Sequence, residues 1–76
     1  MDGLVRYGFV KREGAYRWGC GSYDNGMTVI VTAIDGMAEI TVNRFYDDGI
    51  VEEDTKTVNR VPMGLVWENL PPEVYR

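Results

Sequence analysis

Histidine occurs nowhere in the 76-residue chain, and that absence removes several chemistries at once. Serine–histidine and cysteine–histidine nucleophile pairs are excluded, as are a histidine general base and imidazole metal ligands. Cysteine occurs once, as Cys20. A single thiol cannot staple the fold or assemble a zinc site by itself. No apolar run approaches the ~20 residues that a helical membrane span needs. The nine glycines are scattered and form no phosphate-cradling loop. The opening Met1-Asp2-Gly3-Leu4 lacks the basic and apolar regions of a secretory leader, so the expected compartment is the reducing cytoplasm. Cations are also scarce: eight Lys and Arg stand against twelve Asp and Glu, a net charge of −4. That balance is a poor match to generic DNA binding, where neutralised phosphates supply most of the affinity.

What the chain does have is strand and turn signal. Thr28–Ile34 and Met37–Asn43 are two β-rich runs joined by Asp35-Gly36. Asp-Gly is favoured in a type I′ hairpin turn because both central residues need positive φ. A two-residue loop fixes the register and places Val29, Val31, Ala33, Ala38, Ile40 and Val42 on one wholly apolar face. The other face, Thr28, Ile30, Thr32, Ile34, Met37, Glu39, Thr41 and Asn43, is mixed and half-solvated.

Similar turns recur at Glu13-Gly14, Asn25-Gly26 and Asp48-Gly49, a spacing typical of consecutive antiparallel strands. A two-residue Glu13-Gly14 loop would pair Val5–Lys11 with Ala15–Gly21, setting Phe9 opposite Trp18 and Tyr7 opposite Cys20. A three-residue loop would lose that aromatic pairing, so the first register is preferred. In it Cys20, between two glycines, reads as a small buried filler. After Asn43, a three-residue loop ending on Gly49 would set Tyr46 opposite Ile50 and Phe45 opposite Val51. The charged continuation to Val58 then forms a guarded edge strand. Near the end, Met63, Val66, Trp67 and Leu70 recur at helical spacing behind Pro62, and Pro71-Pro72 stops them. That stripe must dock on the sheet, with Trp67 its largest contributor, because so short a helix cannot hold itself together. The tail beyond is expected to be extended. The fold class is therefore α+β and β-dominated: one small domain over residues 1–76, an antiparallel meander of four to five strands with one short C-terminal helix.

Charge is unevenly placed. Residues 1–26 carry a net +1 and residues 27–76 a net −5. Asp47, Asp48, Glu52, Glu53 and Asp54 crowd into eight residues. They can form a solvated turn and guarded edge, a protein-docking surface, or a hard-cation site, although the spacing lacks the pattern of a calcium loop. Of the aromatics, Tyr7, Phe9, Tyr16, Trp18 and Trp67 are wanted for the core of so small a chain. Phe45 and Tyr46, beside the acidic turn, are the exposed candidates.

Tyr7-Gly8-Phe9, then Gly14 and Tyr16, then Tyr23–Gly26 leading into Thr28–Thr32, resembles sequences of the MmcQ/YjbR family. The resemblance covers about the first half of the chain and implies a small α+β fold with a DNA-binding role. The acidic balance disagrees with that role, and no site residue is carried over.

These readings converge on binding without catalysis and without a cofactor or metal. The expected protein is a small acidic inhibitor of the phage or mobile-element type, anti-CRISPR-like. It would occlude a basic, nucleic-acid-binding surface on a larger bacterial complex through Phe45, Tyr46, Asp47, Asp48, Glu52, Glu53 and Asp54. No direct nucleic-acid or membrane contact is expected. The alternative is a housekeeping or regulatory accessory domain, MmcQ/YjbR-like, that pairs with itself through an open sheet edge.

Overall fold

The computed structural model describes residues 2–76. Five antiparallel strands form a meander in the order β1-β2-β3-β4-β5. They are β1 (Val10–Arg12), β2 (Ala15–Ser22), β3 (Asn25–Ile34), β4 (Met37–Asp47) and β5 (Glu52–Pro62). The 3₁₀ turns Asp2–Tyr7, Met63–Leu65 and Pro72–Tyr75 and a one-turn helix α1 (Val66–Asn69) occupy the two ends of the chain.

The central hairpin follows the alternation of its residues. Val31 pairs with Ile40, Val29 with Val42 and Ala33 with Ala38, around a turn with φ of 51° at Asp35 and 76° at Gly36. Val29, Val31, Ala38 and Ile40 are buried. Ala33 is exposed at the turn end, and Val42 is half-buried. The first hairpin turns the same way, with positive φ at Glu13 and Gly14, and Lys11 lies opposite Tyr16 as the two-residue loop requires.

Only Val10 and Lys11 of the expected Val5–Lys11 strand are strand, however, with Arg12 completing it. Gly8, at φ 96°, diverts the chain, and the amides of Gly8 and Phe9 bond back to the carbonyls of Val5 and Leu4. This winds Leu4 and Phe9 under the sheet, where both are fully buried. Continuing the strand would instead have laid Tyr7 beside Cys20 at an uncovered margin. Phe9 still reaches Trp18, with ring centroids 6.3 Å apart. Cys20 itself is exposed: it lies on the core side of β2 but beyond the reach of the terminal segments, so it is no filler.

The core is one layer deep. Leu4, Phe9, Val66, Leu70 and Val74 cover one face of the sheet and meet Tyr16, Met27, Val29, Val31, Ala38, Ile40 and Val61. The helical stripe splits. Val66 and Leu70 are buried, but Met63 and Trp67 are more than a third exposed, because residues 63–65 form a 3₁₀ turn that shifts their angular positions. Trp67 packs on Tyr7 at 5.4 Å and near Tyr75 at 6.3 Å, joining the chain ends instead of seating on the sheet. The tail is a 3₁₀ turn begun by Pro72, which buries Val74, and is not extended.

This cover is shorter than the sheet. The molecule measures 42 × 24 × 22 Å, and every residue of β5 from Glu52 to Arg60 is exposed. Beyond the level of Met27 and Arg44, the end of the sheet that carries the β2–β3 and β4–β5 turns therefore projects uncovered, as an arm. Arg44 braces its base by an ion pair with Glu73 at 2.6 Å. That bond raises the guanidinium pKa and lowers the carboxyl pKa.

Candidate functional site

Alternate turns of a meander lie at the same end of the sheet. The β2–β3 turn (Tyr23, Asp24) and the β4–β5 loop (residues 48–51) therefore meet at the end of the arm. The Asp47 amide donates to the Asp24 carbonyl at 2.7 Å and locks the two together. Asp24 thus joins the carboxylates of Asp47, Asp48, Glu52, Glu53 and Asp54. A shallow concavity of about 320 Å³ between the turns is lined by Tyr23, Asp24, Asp47, Asp48 and Gly49.

The β4–β5 loop differs from the three-residue expectation. Asp47 pairs with Glu52, Tyr46 with Glu53 and Phe45 with Asp54, which leaves residues 48–51 as a four-residue loop. Gly49 does have positive φ, 87°. The cause of the longer loop is side-chain bonding to the backbone. One Asp48 carboxylate oxygen accepts from the amides of Ile50 at 2.9 Å and Val51 at 2.7 Å. Its other oxygen accepts from the Tyr46 hydroxyl at 3.1 Å. The Asp47 carboxylate accepts from the Gly49 amide at 2.9 Å. The Val51 and Ile50 amides hold the Asp48 carboxyl below the usual carboxylate range. Two of the five clustered acids therefore build the loop, a role the sequence reading did not assign to them.

The register shift of three residues exchanges the faces of β5 relative to that reading. Asp47, Glu52, Asp54 and Phe45 fall on the open face of the sheet, and Tyr46 and Glu53 on the core side. The predicted residues share one end of the molecule but not one face. The Phe45 ring lies across Gly26, where an added Cβ would meet it at 2.6 Å, so Phe45 is half-buried against backbone. Tyr46 is 40% exposed. The most accessible apolar side chains of the tip are Tyr23 at 94% and Ile50 at 92%, and both were missed. The meander pattern was the available signal, since it brings the second and fourth turns together.

Glu52, Glu53 and Asp54 are exposed and make no ion pair among the described residues. No group of three or more carboxylate or thiol side chains among the described residues comes together to hold a metal ion. No helix among the described residues is long and apolar enough to cross a membrane. No family model, curated protein or solved structure matches this chain. The likeness to the MmcQ/YjbR family rests on the motifs quoted above alone.

Proposed function

We propose that the chain is a non-enzymatic binding protein whose acidic tip occludes a basic, nucleic-acid-binding surface on a larger bacterial partner. A phage- or mobile-element-encoded inhibitor of a defence complex would act in this way. The observation that supports this reading is the junction of two turns at the end of the arm. It sets Tyr23 and Ile50, two nearly fully exposed apolar side chains, at the same end of the molecule as the unpaired carboxylates of Glu52, Glu53 and Asp54, which divide between the two faces of β5. Carboxylates replace phosphates in the field that a basic groove exerts, and exposed aromatic and branched side chains supply the desolvated centre an interface needs. Charge of this kind gives encounter rate and specificity more than raw affinity.

The test is capture from bacterial lysate by the full chain, in parallel with a Glu52→Lys/Glu53→Lys/Asp54→Lys variant. The reading expects a nucleic-acid-binding protein that is displaced by its own nucleic acid and lost on charge reversal. A partner retained equally by the variant would refute it.

A further inference from the structure

The uncovered face of the sheet holds a second feature, independent of the tip. Where β1 begins, a concavity of about 450 Å³ is lined by Gly8, Val10, Arg12, Arg17, Gly19 and Ile30, among others. Arg17 lies directly opposite Val10, and Arg12 opposite Ala15, so the two arginines are diagonal neighbours on one face, within mutual reach of their long side chains. Neither guanidinium has an acidic partner among the described residues. Two unneutralised cations side by side over apolar walls suit an anionic group with an apolar body.

Gly19 forms the floor, and the fold gives no packing reason for glycine there. Its φ is ordinary, and an added Cβ would make only van der Waals contacts at 3.6 Å. Glycine weakens a strand interior, so its effect at this position is the space it leaves. The mouth of the concavity is an open strand edge. β1 pairs only with Ala15, Tyr16 and Arg17, so Trp18–Ser22 have a ladder partner on β3 alone. β5, the other edge, carries Glu52, Glu53, Asp54, Lys56 and Arg60, whereas Trp18–Ser22 carry no charge. An unguarded edge accepts a further strand.

We propose that this corner receives the free C-terminus of an extended peptide ending in a large apolar residue. The peptide pairs antiparallel with β2 in line with β1. Its last side chain lies over Gly19, as Phe45 lies over Gly26 within this fold. Its terminal carboxylate then points toward β1 and meets Arg17 and Arg12. The reverse strand direction would bring an ammonium to the arginines, so charge selects the antiparallel one.

The probe is an acetylated Thr-Val-Thr-Val-Phe peptide with a free carboxylate, titrated into the full chain while backbone amide resonances are followed. The expected result is saturable shifts centred on Trp18–Ser22. The C-terminal amide of the same peptide, and an Arg12→Gln/Arg17→Gln variant with the free acid, should each bind about tenfold more weakly, the loss expected for a charge-assisted bond. Gly19→Val, which the backbone accommodates, should abolish binding while leaving the peptide-free spectrum folded. Four results would overturn the proposal: equal binding of acid and amide, acetyl-phenylalanine alone binding as tightly as the pentapeptide, no saturable shifts, or an edge closed by dimerisation of the free chain.

Discussion

The backbone amide of Asp47 donates to the carbonyl of Asp24 at 2.7 Å, tying together two turns that are far apart in sequence. The meander sets Tyr23 at the same end as Ile50, that bond fastens the two turns, and an acidic hairpin loop becomes a two-turn surface. Asp48 keeps the loop in shape from within by accepting the Ile50 and Val51 amides.

Asp48→Ala should therefore act locally. The amides of Ile50 and Val51 lose their acceptor and should exchange faster with solvent, while the global melting temperature barely moves, because the residue is exposed and lies outside the core. Asp48→Asn keeps an acceptor oxygen and should behave closer to wild type. Hydrogen exchange resolved by residue checks this, and unchanged protection in the alanine variant would remove Asp48 from the account of the loop.

The pH dependence has a definite sign. The Asp48 carboxyl is held low by the Val51 and Ile50 amides, and the Glu73 carboxyl by the Arg44 side chain. A group whose folded pKa is depressed stabilises the fold above its unfolded pKa and loses that contribution as pH falls through the folded value. The tip and the Arg44–Glu73 brace should thus hold at neutral pH and loosen only below the ordinary carboxylate range. Following the Ile50 and Val51 amide resonances from about pH 6 to about pH 2 should give a midpoint below that of an aspartate in an unstructured peptide.

Ile40 is 2% exposed at the centre of a core only one layer deep. Replacing it with Ala should cost about 2–5 kcal/mol, a large share of the roughly 5–15 kcal/mol that holds a typical domain together. Chemical denaturation of the variant measures this directly, and a loss below about 1 kcal/mol would mean that the site collapses around the cavity.

Leu70 and Trp67 should separate in the opposite order to their sizes. Leu70 is 7% exposed against the sheet and Trp67 38% exposed against Tyr7 and Tyr75. Leu70→Ala should cost about 2–5 kcal/mol, whereas Trp67→Phe, which keeps a ring in a partly open site, should cost less than about 1.5 kcal/mol. Equal losses would show that the terminal aromatic cluster holds the fold as firmly as the core does.

The parts of this fold that sequence revealed were those written in backbone propensity and strict alternation. Asp35-Gly36 needs positive φ at two successive positions, and the apolar residues on either side alternate without a break, so register and buried face follow together. The β4–β5 loop obeyed another rule. Its length is fixed by carboxylates bonding to amides two and three residues onward, which leaves no trace in hydrophobic period, and the resulting shift moved Glu52 and Asp54 to the other face. Residues 5–7 carry strand-forming side chains, yet Gly8 and the burial of Leu4 override them. Tyr23 and Ile50 carry no signal within their own turns, although the even rhythm of the turns implies that alternate ones meet.

The central claim is that the acidic tip steers the chain onto a basic surface. Its most direct measurement is the association rate with the captured partner, for wild type and for Glu52→Lys/Glu53→Lys/Asp54→Lys, at low and at moderate salt. Exposed charges are screened beyond ~8–10 Å at physiological ionic strength, and steering by complementary charge raises association rates above the ~10⁵–10⁷ M⁻¹s⁻¹ of ordinary protein docking. The account predicts a fast wild-type rate that falls steeply as salt rises, and a slow, salt-insensitive or oppositely salt-dependent rate for a variant that remains folded. Equal rates for the two proteins at low salt would contradict it and return these carboxylates to the solvated guard of an edge strand.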